Sequence, residues 1–177
     1  MNTTEMPTES LSFDFKLNPE DDDNSIITLN IGTDTYACEL YYFALYAEQK
    51  YKRVDKNSFL ISIADALKGW HRLLQDNNSN ETLYFPFELS DQYSRWIACS
   101  IEDQHATLAA GYCSLEGWAV SLSEPELHQE EIIDFVQTGN VTIRTTKMEL
   151  DSWLTQTIKL FEEYDSCLLY TSPSPRD

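Results

Sequence analysis

Between Trp96 and Ile143 the chain has no lysine and no arginine, yet it carries Glu102, Asp103, Glu116, Glu124, Glu126, Glu130, Glu131 and Asp134. The same region is built of short apolar runs, SRWIACSI, ATLAAGYCSL and WAVSLS, joined by the polar or glycine-bearing pieces EDQH and EG. Strands linked so closely have to run antiparallel, because a parallel connection needs roughly a dozen or more residues to cross over. The region therefore predicts an antiparallel meander whose turns hold most of its acids. SEPELHQE reads as a one-turn helix, with Ser123 as cap, Pro125 in the first turn and Glu126 closing the box. EIIDFVQ and VTIRTT flank TGN and predict a further hairpin.

The first half of the chain adds strands and one strong helix. Residues 1–10 are polar and predict a flexible tail. LSFDFKL alternates strictly, with Leu11, Phe13, Phe15 and Leu17 on one face, and predicts a half-wet strand. NPEDDDNS follows as a turn; it lacks the spaced ligands, central glycine and closing glutamate of a calcium loop. IITLNI is a second strand, and the turn GTDT joins it to YACELYYFALY, which its aromatic content assigns to a strand. The alternative there is a helix through Leu40, Phe43 and Ala47. A basic connection, AEQKYKRVDKN, leads into SFLISIADALKGWHRLLQ, where Phe59, Ile63, Leu67, Trp70 and Leu74 form a helical stripe capped by Asn57 or Ser58. Gly69 within it costs about 1 kcal/mol against alanine, so a close approach to a strand is expected beside Trp70. TLYFPFEL is a strand whose Pro86 cannot donate to a ladder and marks an edge or a bulge.

A second helix begins at the Thr146/Glu149 capping box, with Leu150, Trp153, Leu154, Thr157, Leu160, Phe161 and Tyr164 as its apolar face. Its acidic end, Glu162, Glu163 and Asp165, opposes the helix dipole. Beyond it the proline-punctuated sequence loses its pattern. The expected organisation is a single α+β domain over residues 11–166, with 167–177 a disordered or non-native tail. Two amphipathic helices need one apolar sheet face to cover. The expected fold is thus a two-layer sandwich, a mainly antiparallel sheet of about seven strands with both helices packed on one face.

Charge narrows the function. The 177 residues carry a formal net charge of −18, where a magnitude of about 2–8 suffices for the solubility of a small domain. The excess is uneven. Residues 1–49 set ten acids against Lys16, residues 73–177 set eighteen acids against five bases, and only residues 50–72 are net basic. That island is expected to pair with neighbouring carboxylates. Such a field repels nucleic acid and anionic membranes and speeds encounter with basic proteins. No run reaches the roughly 18 apolar residues of a membrane span. With no signal-like start, Cys38, Cys99, Cys113 and Cys167 are expected to be free thiols in the cytoplasm. The N-x-S/T triplets at Asn2, Asn77, Asn80 and Asn140 are then chance matches.

Chemistry is sparse. His71 and His128 are expected on the surface, and His105 lies in the EDQH turn beside Glu102 and Asp103, between Cys99 and Cys113. Zinc sites bring ligands in close pairs, and none is paired here, so no metal and no cofactor is expected. The nucleotide, metalloprotease and serine-hydrolase signatures are missing. The chain is therefore expected not to be an enzyme. In character, though through no shared motif, it resembles small acidic inhibitors such as toxin-immunity proteins. The expected function is capture of a basic protein partner, a toxin or nuclease, by occluding its active or nucleic-acid-binding cleft. Glu102, Asp103, Glu116, Glu124, Glu126, Glu130 and Glu131 would supply the charge and Tyr112 and Trp118 the anchors. Alternatives are a nucleic-acid mimic that antagonises a defence nuclease, a small enzyme with a pocket near His105, and a self-associating adaptor.

Overall fold

The computed structural model describes residues 11–16, 26–53, 58–77 and 80–171. The expected tail over 1–10, the acid turn over 18–25 and residues 172–177 lie outside them. Among these residues the architecture is α+β with antiparallel sheets and three α-helices.

β1 (Leu11–Lys16), β2 (Ile26–Ile31) and β3 (Asp34–Glu39) form a three-stranded antiparallel sheet in the order β1-β2-β3. The β2–β3 hairpin closes over Gly32 and Thr33, with Ile31 opposite Asp34 and Gly32 at a φ of 60°. The long strand expected over Tyr36–Tyr46 is corrected here. It ends at Glu39, and α1 (Tyr41–Tyr51) follows. Leu40, Phe43 and Ala47 recur every three to four residues, and all three are buried. That helical spacing outweighs the β propensity of the tyrosines, because it puts one apolar stripe on the core. α1 stops where Lys52 turns left-handed, its N–H returning to Glu48 O at 3.0 Å.

The helix expected over SFLISIADALKGWHRLLQ, residues 58–75, is present as α2 (Phe59–Asp76), with Phe59, Ile63, Leu67, Trp70 and Leu74 all buried. Ser58 stands at its N-cap but makes no side-chain cap bond. Gly69 is indeed a point of close approach, though to a loop rather than a strand. A Cβ there would lie 2.7 Å from Pro125 Cδ and 2.8 Å from Ser123 O.

β4 (Thr82–Leu89), β5 (Ser94–Glu102) and β6 (His105–Cys113) realise the strands expected at TLYFPFEL, SRWIACSI and ATLAAGYCSL and form the spine of a five-stranded sheet. Pro86 sits on edge strand β4 opposite Trp96, and the register slips between Pro86 and Glu88. The Pro86 carbonyl accepts the Trp70 indole N–H at 3.1 Å, which ties the bulge to α2.

Past β6 three expectations fail. WAVSLS is no strand; Gly117–Ala119 is one 3₁₀ turn, and Pro125–His128, with proline in its first turn, is another. EIIDFVQ supplies only β7 (Val136–Gln137), and TGN does not close a hairpin. β7 and β8 (Ile143–Thr146) both lie antiparallel to β6 on its outer edge, β7 at Gly111–Tyr112 and β8 at His105–Leu108. Eight strands in two sheets thus stand among the described residues, in place of a single sheet.

α3 (Lys147–Thr171) opens on the expected capping box. The Glu149 N–H donates to Thr146 Oγ1 at 3.1 Å, and the Thr146 N–H donates to Glu149 Oε2 at 2.9 Å. Leu150, Leu154 and Phe161 are buried, whereas Leu160 and Tyr164 face solvent. The helix runs on past Cys167 to Thr171. Its acids are not left against the dipole: Arg53 holds Asp165 at 2.6 Å and Lys68 holds Glu162 at 2.7 Å.

One core, with Leu29, Leu60, Leu67, Trp70, Phe85, Ile97, Leu108 and Leu154 fully buried in it, joins the helices to one face of β4–β6. A smaller cluster of Trp96, Cys113 and Ile132 lies on the opposite face.

Candidate partner-binding surface

The chain between β6 and β7 is a strap. At its start the Gly117 N–H donates to Ser90 O at 2.7 Å, beside the end of β4. It then passes the β4 edge, where the Gln129 side chain takes the place of a neighbouring strand. Gln129 Oε1 accepts the Tyr84 N–H at 2.8 Å and its Nε2 donates to the Tyr84 carbonyl at 3.0 Å. Pro125 presses on α2 at Gly69, and Phe135 returns across the sheet, its ring against Gly111 and 5.3 Å from the Tyr84 ring. Any side chain on Gly111 would occupy the place of the Phe135 ring.

The strap's own bonds fix its acids. His128, expected on the surface, is buried. Its Nε2 accepts the Ser121 N–H at 2.9 Å, so the ring proton belongs on Nδ1, which donates to Glu131 Oε2 at 2.8 Å. Glu126 is held by Arg72 at 2.9 Å, and the same guanidinium donates to Ser123 O at 2.6 Å. Asp134 accepts the Ser114 N–H at 3.1 Å, and Ser114 holds its carboxyl below the usual range. Glu116 accepts the Trp118 indole N–H at 2.6 Å. Glu124 receives a bond from Ser121 Oγ at 3.4 Å, and Glu130 is exposed.

Exposed apolar groups stand among these acids. Trp118 is 69% exposed, Leu127 62%, Ile133 90% and Tyr112 42%. Tyr112 is the β6 partner of Val136, itself partly exposed, so the strap's end and the sheet edge form one surface. Close to Glu116, Tyr42 donates to Asp91, and that bond, with burial and the nearby carboxylates, pushes the Tyr42 phenol up to about 12.

Of the nine residues expected to bind a partner, Tyr112, Glu116, Trp118, Glu124, Glu126, Glu130 and Glu131 thus lie on or beside the strap. Glu102 and Asp103 do not. They occupy the β5–β6 turn at the far end of the strands, where Asp103 takes a left-handed φ of 54° and both line an open depression with Asn80 and Glu81. His105 is exposed on that turn, and its flanking cysteines are buried in separate clusters, Cys99 under the helices and Cys113 on the opposite face. Burial pushes the Cys99 thiol up to about 12. The three residues do not converge.

Sequence reasoning missed a groove of about 890 Å³ beside the strap. One wall is β3 from Thr35 to Glu39; the floor is Glu88, Tyr93, Arg95 and Tyr112; Thr138 closes one end. Arg95 Nη1 donates to Glu88 Oε2 at 2.8 Å, and its guanidinium lies 5.7 Å from the Tyr93 ring centre. Glu88 is only 5% exposed. Burial pushes its carboxyl up, Arg95 pulls it back, and Glu39 pushes it up further. Cys38, a buried residue of β3, is pushed up to about 12 by burial and by Glu88. Tyr36 donates to Thr138 O at 3.2 Å and meets Phe87 edge-on, which pins β3 over the sheet.

No family model matches the chain, and no curated protein does. Among solved structures it is similar to one described as the CdiA-CT/CdiI toxin and immunity complex from Enterobacter cloacae, at 12% identity and a TM-score of 0.47, over 83% of this chain and 99% of that one. A likeness that distant carries neither residue roles nor a partner to this chain.

Proposed function

We propose that this chain is a protein-binding inhibitor that covers the active or nucleic-acid-binding cleft of a basic partner, as toxin-immunity proteins do. One observation carries the reading: five bases are paired with carboxylates of this chain, while Glu116, Glu124 and Glu130 of the strap face solvent around exposed apolar anchors. Lys50 pairs with Asp65, Arg53 with Asp165, Lys68 with Glu162, Arg72 with Glu126 and Arg95 with Glu88. Glu116, Glu124 and Glu130 stay exposed beside Trp118 and Leu127. Aromatic anchors inside a charged rim are the usual division of labour at an interface, the anchors setting the dissociation rate and the rim the encounter rate.

The test reverses Glu116, Glu124 and Glu130 to lysine and leaves Glu126 and Glu131 in place, since those two hold Arg72 and His128. Against the basic protein retained by this chain from native lysate, association should slow by about tenfold or more at low salt and lose most of its salt dependence. Trp118→Ala should raise the dissociation rate. An association rate and salt slope unchanged by the triple reversal would refute the electrostatic mechanism.

A further inference from the structure

The groove beside β3 has two features that together specify an occupant. The first is a strand edge that has no ladder partner among the described residues. In a hairpin with a two-residue loop the flanking pair, here Ile31 and Asp34, is hydrogen-bonded, and such pairs alternate with open ones along the ladder. Asp34, Tyr36 and Cys38 therefore point their backbone groups at β2. Thr35, Ala37 and Glu39 point theirs away from it, on the outer edge of the three-stranded sheet.

The second is charge with aromatic walls. Among the described residues the groove lining sets Glu39 and the buried Glu88 against one cation, Arg95, which is already bonded to Glu88. The Tyr93 ring already carries the Arg95 guanidinium, so Tyr112, 42% exposed, offers the ring face, and ring faces attract ammonium and guanidinium groups. At the closed end Thr138 Oγ1 is buried and has no hydrogen-bond partner among the described residues.

We propose that this groove takes an extended, arginine- or lysine-bearing segment of the partner protein, paired along the outer edge of β3, with its basic side chains directed at Glu39 and at the Tyr112 ring. The inference rests on the reading of the chain as a binder of a basic protein and names a second contact for it. An extended ligand pairs through its main chain and gains specificity from alternate side chains. With alternate residues pointing into the groove, threonine–arginine repeats match its geometry and charge.

The test uses a short blocked peptide alternating threonine and arginine, its threonine–glutamate counterpart, and the full chain labelled for amide NMR. The arginine peptide should shift and protect the amides of Thr35, Ala37 and Glu39 and shift the ring of Tyr112; the glutamate peptide should do neither. Two variants follow. Ala37→Pro removes one outward N–H at an exposed edge, and Glu39→Lys places a like charge at the groove mouth. Each should weaken the peptide by about tenfold, since like charges and missing bonds across an interface cost at least that. A thermal melt confirms that each variant is folded, and Glu39→Lys serves alone if Ala37→Pro is not. Peptide shifts spread evenly over the exposed carboxylates, or binding unaltered in the folded variants, would overturn the assignment. With the partner protein itself, sensitivity to the strap reversal and indifference to both groove variants overturns the groove alone. Sensitivity to the groove variants and indifference to the strap reversal upholds the groove and removes the strap.

Discussion

Asp65→Asn tests the brace between α1 and α2. Asp65 is buried on α2, and its Oδ2 accepts from Lys50 Nζ at 2.8 Å, from the Tyr46 hydroxyl at 3.1 Å and from the Tyr51 hydroxyl; Lys68 stands at 3.7 Å from Oδ1. Burial alone would raise this carboxyl, but Lys50 and the two tyrosines outweigh it and leave it lowered. A hydrogen bond to a charged group contributes roughly 1.5–3 kcal/mol, and three of them would sum to much more if every donor were stranded. They are not stranded: the Lys50 side chain is 46% exposed and Tyr51 reaches solvent, so both return to water when the charge is removed. The expected loss is therefore about 2–3 kcal/mol at neutral pH, smaller than for a fully buried pair. For a domain of this size that lowers the melting temperature by roughly 5–10 °C. The pH dependence has a definite sign. A carboxyl lowered in the folded state stabilises fully above its unfolded value, near about 3.9, and the contribution fades as pH falls through the folded value. Calorimetry at pH 7 should show the full gap between wild type and Asp65→Asn, and the gap should close below about pH 4. Melting temperatures that coincide at pH 7, or a gap that persists unchanged into acid, would refute the brace.

Three further outcomes follow from the packing. Gly69→Ala should destabilise the chain by about 1–3 kcal/mol in urea unfolding, although alanine is the better helix former, because its methyl meets Pro125 and the Ser123 carbonyl. Trp118→Ala should leave stability within about 0.5 kcal/mol while Trp96→Ala costs about 3–5, since the first ring is exposed and the second fully buried, its N–H on Ser94 Oγ. In native protein a thiol reagent at pH 8 should modify exposed Cys167 first; Cys38 and Cys99, buried and both pushed up to about 12, should react only on unfolding, as mass spectrometry of the labelled peptides will show.

The elements legible in the sequence were those whose pattern is local. The stripe of α2, the Thr146/Glu149 box, the β5–β6 ribbon and the Pro86 bulge each follow from residues a few positions apart. The failures lie where a partner distant in sequence decides. WAVSLS alternates like a strand, but the sheet edges are taken, by Gln129 on one side and by β7 and β8 on the other. His128 sits among carboxylates in sequence, yet the Ser121 N–H and Glu131 hold it inside the strap. The groove was illegible for the same reason: β3, the β4–β5 end and Thr138 meet only in the fold. The one cue available was the pair Glu88 and Arg95, opposite charges flanking a short polar turn.

The acids at the two ends of the β5–β6 ribbon also separate two mechanisms. From Ser94 to Glu102, β5 extends roughly 26 Å at about 3.3 Å per residue, so Glu102 and Asp103 stand that far from the groove and the strap's first turn. A nucleic-acid mimic must offer charge along a length comparable to a groove of duplex, and it would use both ends. An inhibitor anchored by Trp118 and Tyr112 needs only the end where exposed aromatics lie. The discriminating variant is Glu102→Lys with Asp103→Asn, asparagine being tolerant of the left-handed φ at that turn. The anchored inhibitor predicts partner association within about twofold of wild type, because charges beyond a Debye length, about 8 Å, from the contact are screened at physiological salt. If this variant slows association as much as the strap reversal does, the footprint runs the length of the ribbon, and charge mimicry rather than anchored occlusion is the mechanism.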